Sequence, residues 1–108
     1  MIHTENNIFH LKTDYYSYML RINSYGIPEH LHFGAPVLTE DAEALACRPG
    51  LGWGCSVLLH QEDTASSLDA LALEWSGSGR GDYRESPLEL AGETTDFRYE
   101  AFEILEGI

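Results

Sequence analysis

The sequence has little positive charge: 6 lysines and arginines stand against 18 aspartates and glutamates, for a formal net charge of -12. A surface of this sign repels the phosphates of nucleic acids and the headgroups of anionic membranes. We therefore expect neither nucleic acid nor a membrane as a partner. A neutral, hydroxyl-rich ligand such as a sugar would approach without an electrostatic penalty.

Cysteine and long hydrophobic runs are also scarce. Cys47 and Cys55 have neither a metal-ligand spacing nor the number needed for a disulfide framework, so we expect two reduced thiols. No segment is apolar enough to span a bilayer, and the N-terminus lacks the basic start and apolar stretch of a signal peptide. These absences predict a cytoplasmic protein that needs no cofactor.

What is present is a strand pattern in a chain of 108 residues, the length of one domain. Apolar residues alternate: Phe9 and Leu11 share a face of one strand, and after a turn at Asp14 the next strand carries Tyr16, Tyr18, Leu20 and Ile22 on one face. Gly26 and Pro28 then break the chain before a short strand, "EHLHF", that ends at Gly34.

The second half is less regular. The stretch 34–64 predicts a long loop, with one or two helical turns and a threonine cap in "TEDAEALA" and a short strand in "SVLLH". Leu71, Leu73 and Trp75 alternate, and "ESPLEL" and "DFRYEAFEIL" predict a hairpin with a β-bulge near Ala101. The whole pattern predicts an antiparallel all-β domain, a β-sandwich or part of one. Its end at "LEGI" suggests a chain cut out of something larger.

The stretch "WSGSGRGDYRESP" invites three interpretations. A phosphate loop is excluded because no lysine follows the glycines and Pro87 stands where a helix would continue. The integrin tripeptide Arg80-Gly81-Asp82 has no role in a cytoplasmic protein. We favour glycines that permit positive φ angles and close backbone approach at a strand junction, with Asp82 and Arg84 pointing to one side.

Catalytic and metal-binding sets do not emerge. His30 and His32, two apart on a predicted strand, would share a face, but no third ligand is placed nearby, so a structural or surface role is favoured over a metal site. The many carboxylates cannot be paired across a bond from spacing along a β chain.

Trp53, between Gly52 and Gly54 in the long loop, is the candidate substrate-binding residue. A large aromatic side chain on a glycine-lined loop is well placed to offer its face to the apolar C–H side of a sugar. The opposite interpretation, in which the loop folds back and buries the indole, stays open.

Four stretches carry a resemblance: "FHLKTDYYSYML", "GIPEHLHFG", "SLDALALEWSGSGRGDYRESPLEL" and "TDFRYEAFEILEGI". In order and spacing the sequence resembles the N-terminal end of bacterial α-galactosidases of glycoside hydrolase family 36, and the segment from Glu74 to Pro87 is the most specific. The resemblance implies that residues 1–108 are an N-terminal β-sandwich domain, truncated before the rest of the sandwich and the catalytic barrel.

In that family a (β/α)8 barrel carries two aspartates that hydrolyse terminal α-linked galactose with retention. The resemblance therefore implies that this chain alone is inactive and that the galactose-containing oligosaccharide is a substrate of the parent enzyme. It also implies a homo-oligomer in which the region Arg48 to Asp63 reaches a neighbouring subunit's sugar pocket, with Trp53 as the contacting residue.

Two alternatives remain, a stand-alone carbohydrate-binding domain and a protein-interaction β-domain. The first needs an open aromatic platform, from Trp53 or from Tyr15, Tyr16 and Tyr18. Unpaired strand edges left by truncation further predict a tendency to dimerise by strand pairing.

Overall fold

The structure is a computed structural model that describes residues 1–46, 58–60, 63–68, 70–77, 85–93 and 95–106. Its main element is a four-stranded antiparallel sheet in chain order, formed by β1 (Ile2–Glu5), β2 (Ile8–Lys12), β3 (Ser17–Ile22) and β4 (Pro28–Gly34). A 3-10 turn (Thr39–Asp41) and α1 (Ala42–Leu45) follow, and then β5 (Leu58–His60) pairs with β6 (Asp63–Ser67). The predicted antiparallel all-β fold is confirmed.

The first two hairpins form because their turns have suitable residues. Asn6 and Asn7 join β1 to β2 with φ angles of 49° and 61°, a region that asparagine tolerates better than most residues. Between β2 and β3 the hydroxyl of Thr13 accepts hydrogen bonds from the backbone N–H groups of Tyr15 and Tyr16, at 3.2 and 2.9 Å. The predicted turn at Asp14 is thereby confirmed.

The sheet has two unlike faces. On the helical face, Met19 and Leu31 pack against Ala42 of α1 to form the buried core, with Ile8, Val37 and Leu45 around it. We call the opposite face the aromatic face. The predicted alternation in β2 and β3 is confirmed there, because Phe9 lies opposite Leu20 and Leu11 lies opposite Tyr18. Met19, the most deeply buried apolar residue, therefore lies on the face that the alternation did not single out, although Ile22 and Leu71, which the alternation did include, are buried as well.

The predicted hairpin of "ESPLEL" and "DFRYEAFEIL" is wrong, because residues 85–90 and 95–106 contain no strand. The second segment instead crosses the sheet: the Tyr99 N–H donates to the Gly26 carbonyl at 2.7 Å, and Phe102 packs edge-on against Phe9 with ring centroids 4.9 Å apart. Since no ladder forms there, the predicted bulge near Ala101 is absent as well.

Two other local predictions need correction. Residues 71–75 form no strand; Leu73 makes only an isolated bridge to Glu29 of β4. The helical turns of "TEDAEALA" are confirmed, but Thr39 does not cap them. Its hydroxyl is engaged by His10, and the Asp41 carboxylate instead accepts a hydrogen bond from the Leu38 N–H at 3.2 Å. The predicted strand in "SVLLH" is confirmed for Leu58–His60.

Candidate functional site

The predicted substrate-binding residue, Trp53, lies outside the described residues, as do Cys47, Cys55 and the tripeptide Arg80-Gly81-Asp82. The structure does describe the chain on both sides of the Trp53 segment. On the first side the chain leaves α1 at Ala46, and on the second side the described residues begin with β5. The geometry of the site therefore rests on how these two flanks are held.

A buried histidine holds the entering flank. His10 of β2 is 0% exposed, and its Nδ1 lies 2.7 Å from the Thr39 hydroxyl while its Nε2 lies 2.9 Å from the Ser17 hydroxyl. Ser17 Oγ also accepts the Val37 N–H at 3.1 Å. Both hydroxyls can donate or accept, so these contacts suit a neutral ring with its proton on either nitrogen.

The pKa of His10 is lowered, first by burial and then by the positive charge of Lys12 and by His3 and His32. Two carboxylates of the 3-10 turn and α1, Glu40 and Glu43, lie on the solvent side of this region. Because its pKa is lowered, His10 links β2, β3 and the segment that leads into α1 as a neutral imidazole.

An arginine holds the helix to the sheet. Arg21 of β3, 8% exposed, donates from Nε to Glu29 at 3.1 Å and from Nη1 to Glu43 of α1 at 3.3 Å. Glu29 is itself 3% exposed, so each buried charge is compensated by the other. Among the described residues, Nη2 of Arg21 has no hydrogen-bond partner.

The returning flank is tied to the same end of the sheet. The Tyr25 hydroxyl, in the turn between β3 and β4, donates to the Asp63 carboxylate at 2.6 Å. This hydrogen bond, together with burial and the carboxylate charge, raises the pKa of Tyr25. Both ends of the segment that contains Trp53 are consequently anchored on the four-stranded sheet.

A second polar cluster lies on the aromatic face. The Tyr18 hydroxyl donates to one oxygen of Glu74, and Nδ1 of His30 lies 3.2 Å from the other oxygen. The Tyr18 and His30 rings meet edge-on at 5.5 Å, and burial raises the pKa of Glu74. We call these three residues the Tyr18–Glu74–His30 cluster.

The Tyr18–Glu74–His30 cluster joins three of the four stretches that carry the family resemblance. Sequence reasoning missed it because Glu74 is 56 residues from Tyr18 and 44 from His30. No local pattern reports a contact at such separations. The cluster holds these segments of the chain together, because each of its three side chains contacts the other two.

The predicted shared face of His30 and His32 is wrong. His32 lies opposite Met19, whereas His30 lies opposite Leu20, because a β-bulge at this point leaves Leu31 without a partner of its own. Neighbouring residues of β3 point to opposite faces, so the two imidazoles do too. His32 interacts with the Ala35 carbonyl at 2.9 Å. The described residues contain no group of three or more metal-ligating side chains.

The three tyrosines of the predicted aromatic platform do not form one exposed surface. Tyr18 belongs to the Tyr18–Glu74–His30 cluster, whereas Tyr15 and Tyr16 are 77% and 59% exposed. Tyr16 stacks on exposed Phe33 with centroids 6.4 Å apart and planes 23° from parallel. Tyr16 and Phe33 border an open groove of about 440 Å³ whose other walls include Leu11 and Ile2.

Helices long and apolar enough to cross a bilayer are absent from the described residues. No protein-family model and no curated protein matches the chain.

Solved structures, in contrast, are similar. The galactosidase domain of the α-galactosidase–sucrose kinase AgaSK matches with 26% identity and a TM-score of 0.67, over 80% of this chain and 12% of that one. An α-galactosidase from Lactobacillus brevis matches with 21% identity and a TM-score of 0.62, over 73% and 10%. The GH36 α-galactosidase AgaB from Geobacillus stearothermophilus matches with 22% identity and a TM-score of 0.68, over 94% and 14%.

This chain thus spans only 10–14% of the length of these enzymes. The resemblance that the sequence predicted is confirmed: the chain has the fold of a part of the α-galactosidases of glycoside hydrolase family 36.

Proposed function

We propose that this chain is the N-terminal, non-catalytic domain of an α-galactosidase, and that the parent enzyme removes terminal α-linked galactose from oligosaccharides. The observation that carries this proposal is the match to the AgaSK galactosidase domain, with a TM-score of 0.67 and 26% identity over 80% of the chain. Because the match spans 12% of that domain's chain, most of such an enzyme lies outside a segment of this size.

The described carboxylates support a non-catalytic role. Retaining hydrolysis uses two carboxyl groups roughly 5–5.5 Å apart on opposite sides of the scissile bond. Glu29 is paired with Arg21, Glu74 is bound by Tyr18 and His30, and Asp63 accepts from Tyr25. Each of these buried or half-buried carboxylates serves the fold. The catalytic pair belongs, in this proposal, to a barrel encoded beyond this chain.

Within that enzyme we assign the segment around Trp53 to a neighbouring subunit's sugar pocket, in a cytoplasmic homo-oligomer that serves carbohydrate metabolism. The support is the anchoring of both flanks, by His10 and Arg21 on one side and Tyr25 on the other. Anchors of this kind reduce the conformational freedom that a binding loop loses when it orders.

The Trp53 assignment has its own test in the full-length enzyme. Replacing Trp53 with alanine removes a stacking surface, so we expect KM for an α-galactoside to rise roughly tenfold while kcat changes little. The control is Tyr15→Ala, which removes an aromatic ring that is 77% exposed. Equal KM values for the Trp53 variant and the unmodified enzyme would exclude Trp53 from the pocket.

The gene tests the proposed function itself. We expect the reading frame to continue past the codon for Ile108 into a barrel sequence with two catalytic aspartates. A natural stop codon there would instead favour a stand-alone β-domain.

A further inference from the structure

The outer edge of β1 carries unpaired backbone groups. Met1 and Lys12 exchange both backbone hydrogen bonds, at 2.9 and 2.8 Å. Hydrogen-bonded and non-bonded pairs alternate along an antiparallel ladder, so His3 and Glu5 also bond to β2 whereas Ile2 and Thr4 do not. The N–H and C=O groups of Ile2 and Thr4 therefore point outward, and within the described ranges no backbone group pairs with them.

The other edge of the sheet differs because the chain covers it. The N–H of His30 on β4 donates to Ala72 at 2.7 Å, and the N–H of Glu74 donates to Pro28 at 2.9 Å. Proteins often protect an open edge with proline, lysine, a bulge or a very short strand. β1 is short, at four residues, but its sequence "IHTE" has no proline or lysine and it pairs with β2 in unbroken register.

We propose that β1 pairs antiparallel with β1 of a second copy of this chain, in the register that sets Thr4 opposite Thr4. The two outward groups of each Thr4 then exchange hydrogen bonds across a two-fold axis. The pairing would join two four-stranded sheets into one continuous sheet.

This register is favoured because β1 is complementary to itself in it. His3 of one copy lies opposite Glu5 of the other, and the two-fold axis repeats the contact. Such non-hydrogen-bonded pairs bring side chains closest together. His3 and Glu5 point to one face, already lie 3.1 Å apart within a chain, and are 45% and 59% exposed. In the alternative register, with His3 of one copy opposite His3 of the other, the two imidazoles would lie against each other.

The net charge of -12 on each copy opposes this association. Salt screens that repulsion, so the dimer should tighten as ionic strength rises. The inference goes beyond the proposed function: it concerns the chain itself and holds whether or not the parent enzyme cleaves galactosides.

Sedimentation of the 108-residue chain in moderate salt tests the edge. Thr4→Pro removes the outward N–H but no hydrogen bond to β2, so the hairpin should persist, as circular dichroism can verify. With two inter-copy hydrogen bonds lost, we expect the dimer dissociation constant to rise roughly tenfold or more. The matched control, Thr4→Val, keeps the N–H and should dimerise like the unmodified chain.

The register has a separate test that does not depend on proline. His3→Glu sets carboxylates against Glu5 and should weaken the dimer, and adding Glu5→Lys should restore it. A monomeric unmodified chain at millimolar concentration would overturn the proposal. Undiminished association of folded Thr4→Pro, or of His3→Glu, would overturn it as well.

Discussion

His10 is a histidine whose two ring nitrogens both have hydroxyl partners and whose side chain water does not reach. Both hydroxyls can rotate, so hydrogen bonding alone does not forbid a protonated ring. Burial disfavours the protonated ring, because a charged imidazole loses its hydration there. The folded chain therefore favours the neutral form.

Acidification should consequently destabilise the chain. The unfolded state takes up a proton near the ordinary pKa of 6.5, whereas the folded state resists it, so unfolding free energy falls as the pH drops below that value. The raised pKa of Glu74 acts with the opposite sign: its contribution is present below 4.5 and is lost as pH rises through the folded pKa.

Urea unfolding at about pH 7.5 and about pH 5.5 measures the net pH dependence, and substitution of His10 isolates the contribution of that residue. His10→Gln should lose the part of the pH dependence that comes from the buried imidazole. His3→Gln keeps that imidazole and removes only one of the smaller causes of its lowered pKa, so it should keep most of the pH dependence. An unchanged pH dependence in His10→Gln would refute this role for His10.

The pairing of the buried polar residues could not be predicted from the sequence. Arg21 and Glu29 lie directly opposite each other, but the pairing is visible only once the register of β3 and β4 is known. In the sequence each is a charged residue in a strand, which favours the surface. Trp53 stays a prediction, because it lies outside the described residues.

Among the elements, the strands predicted correctly are those whose partners follow directly along the chain. β2, β3 and β4 each pair with a sequence neighbour across a short turn, so alternation and turn residues sufficed. The extended segment 95–106 also alternates, but its contacts include Gly26 and Phe9, which are more than 70 residues away. Alternation reports an extended chain without reporting its partner.

At Gly77 the glycine pattern correctly predicted a close backbone approach, but not the positive φ angle or the strand junction, since neither is found there. A Cβ atom at this position would lie 2.5 Å from the carbonyl oxygen of Thr95, so close backbone approach is confirmed there. The equivalent prediction for Gly79 and Gly81 falls outside the described residues. Glycine at position 77 lets the chain from Thr95 onward pass against the end of segment 70–77.

Gly77→Ala should therefore destabilise the chain by about 1–3 kcal/mol, the usual cost of forcing extra atoms into packed structure. Its neighbour provides the control, because Ser76→Ala changes a half-buried side chain without adding a Cβ. Chemical denaturation measures both. A Gly77 variant as stable as the Ser76 variant would show that the backbones do not meet this closely.

At the scale of the whole molecule, the small core contrasts with a broad aromatic face. Met19, Leu31 and Ala42 are buried together, whereas Tyr16 and Phe33 remain 59% and 68% exposed beside Leu11. Contiguous exposed apolar surface is a feature of sites that bind another protein segment or a ligand. It supports the proposal that this chain functions within a larger enzyme, as its 10–14% share of its structural neighbours also suggests.

If the chain is a non-catalytic part of an α-galactosidase, as proposed, hydrolysis of a chromogenic α-galactoside is the decisive measurement. We expect no turnover by the purified 108-residue chain and turnover by the full-length product of its reading frame. Hydrolysis that copurifies with the short chain at constant specific activity would contradict it, as would an inactive full-length protein.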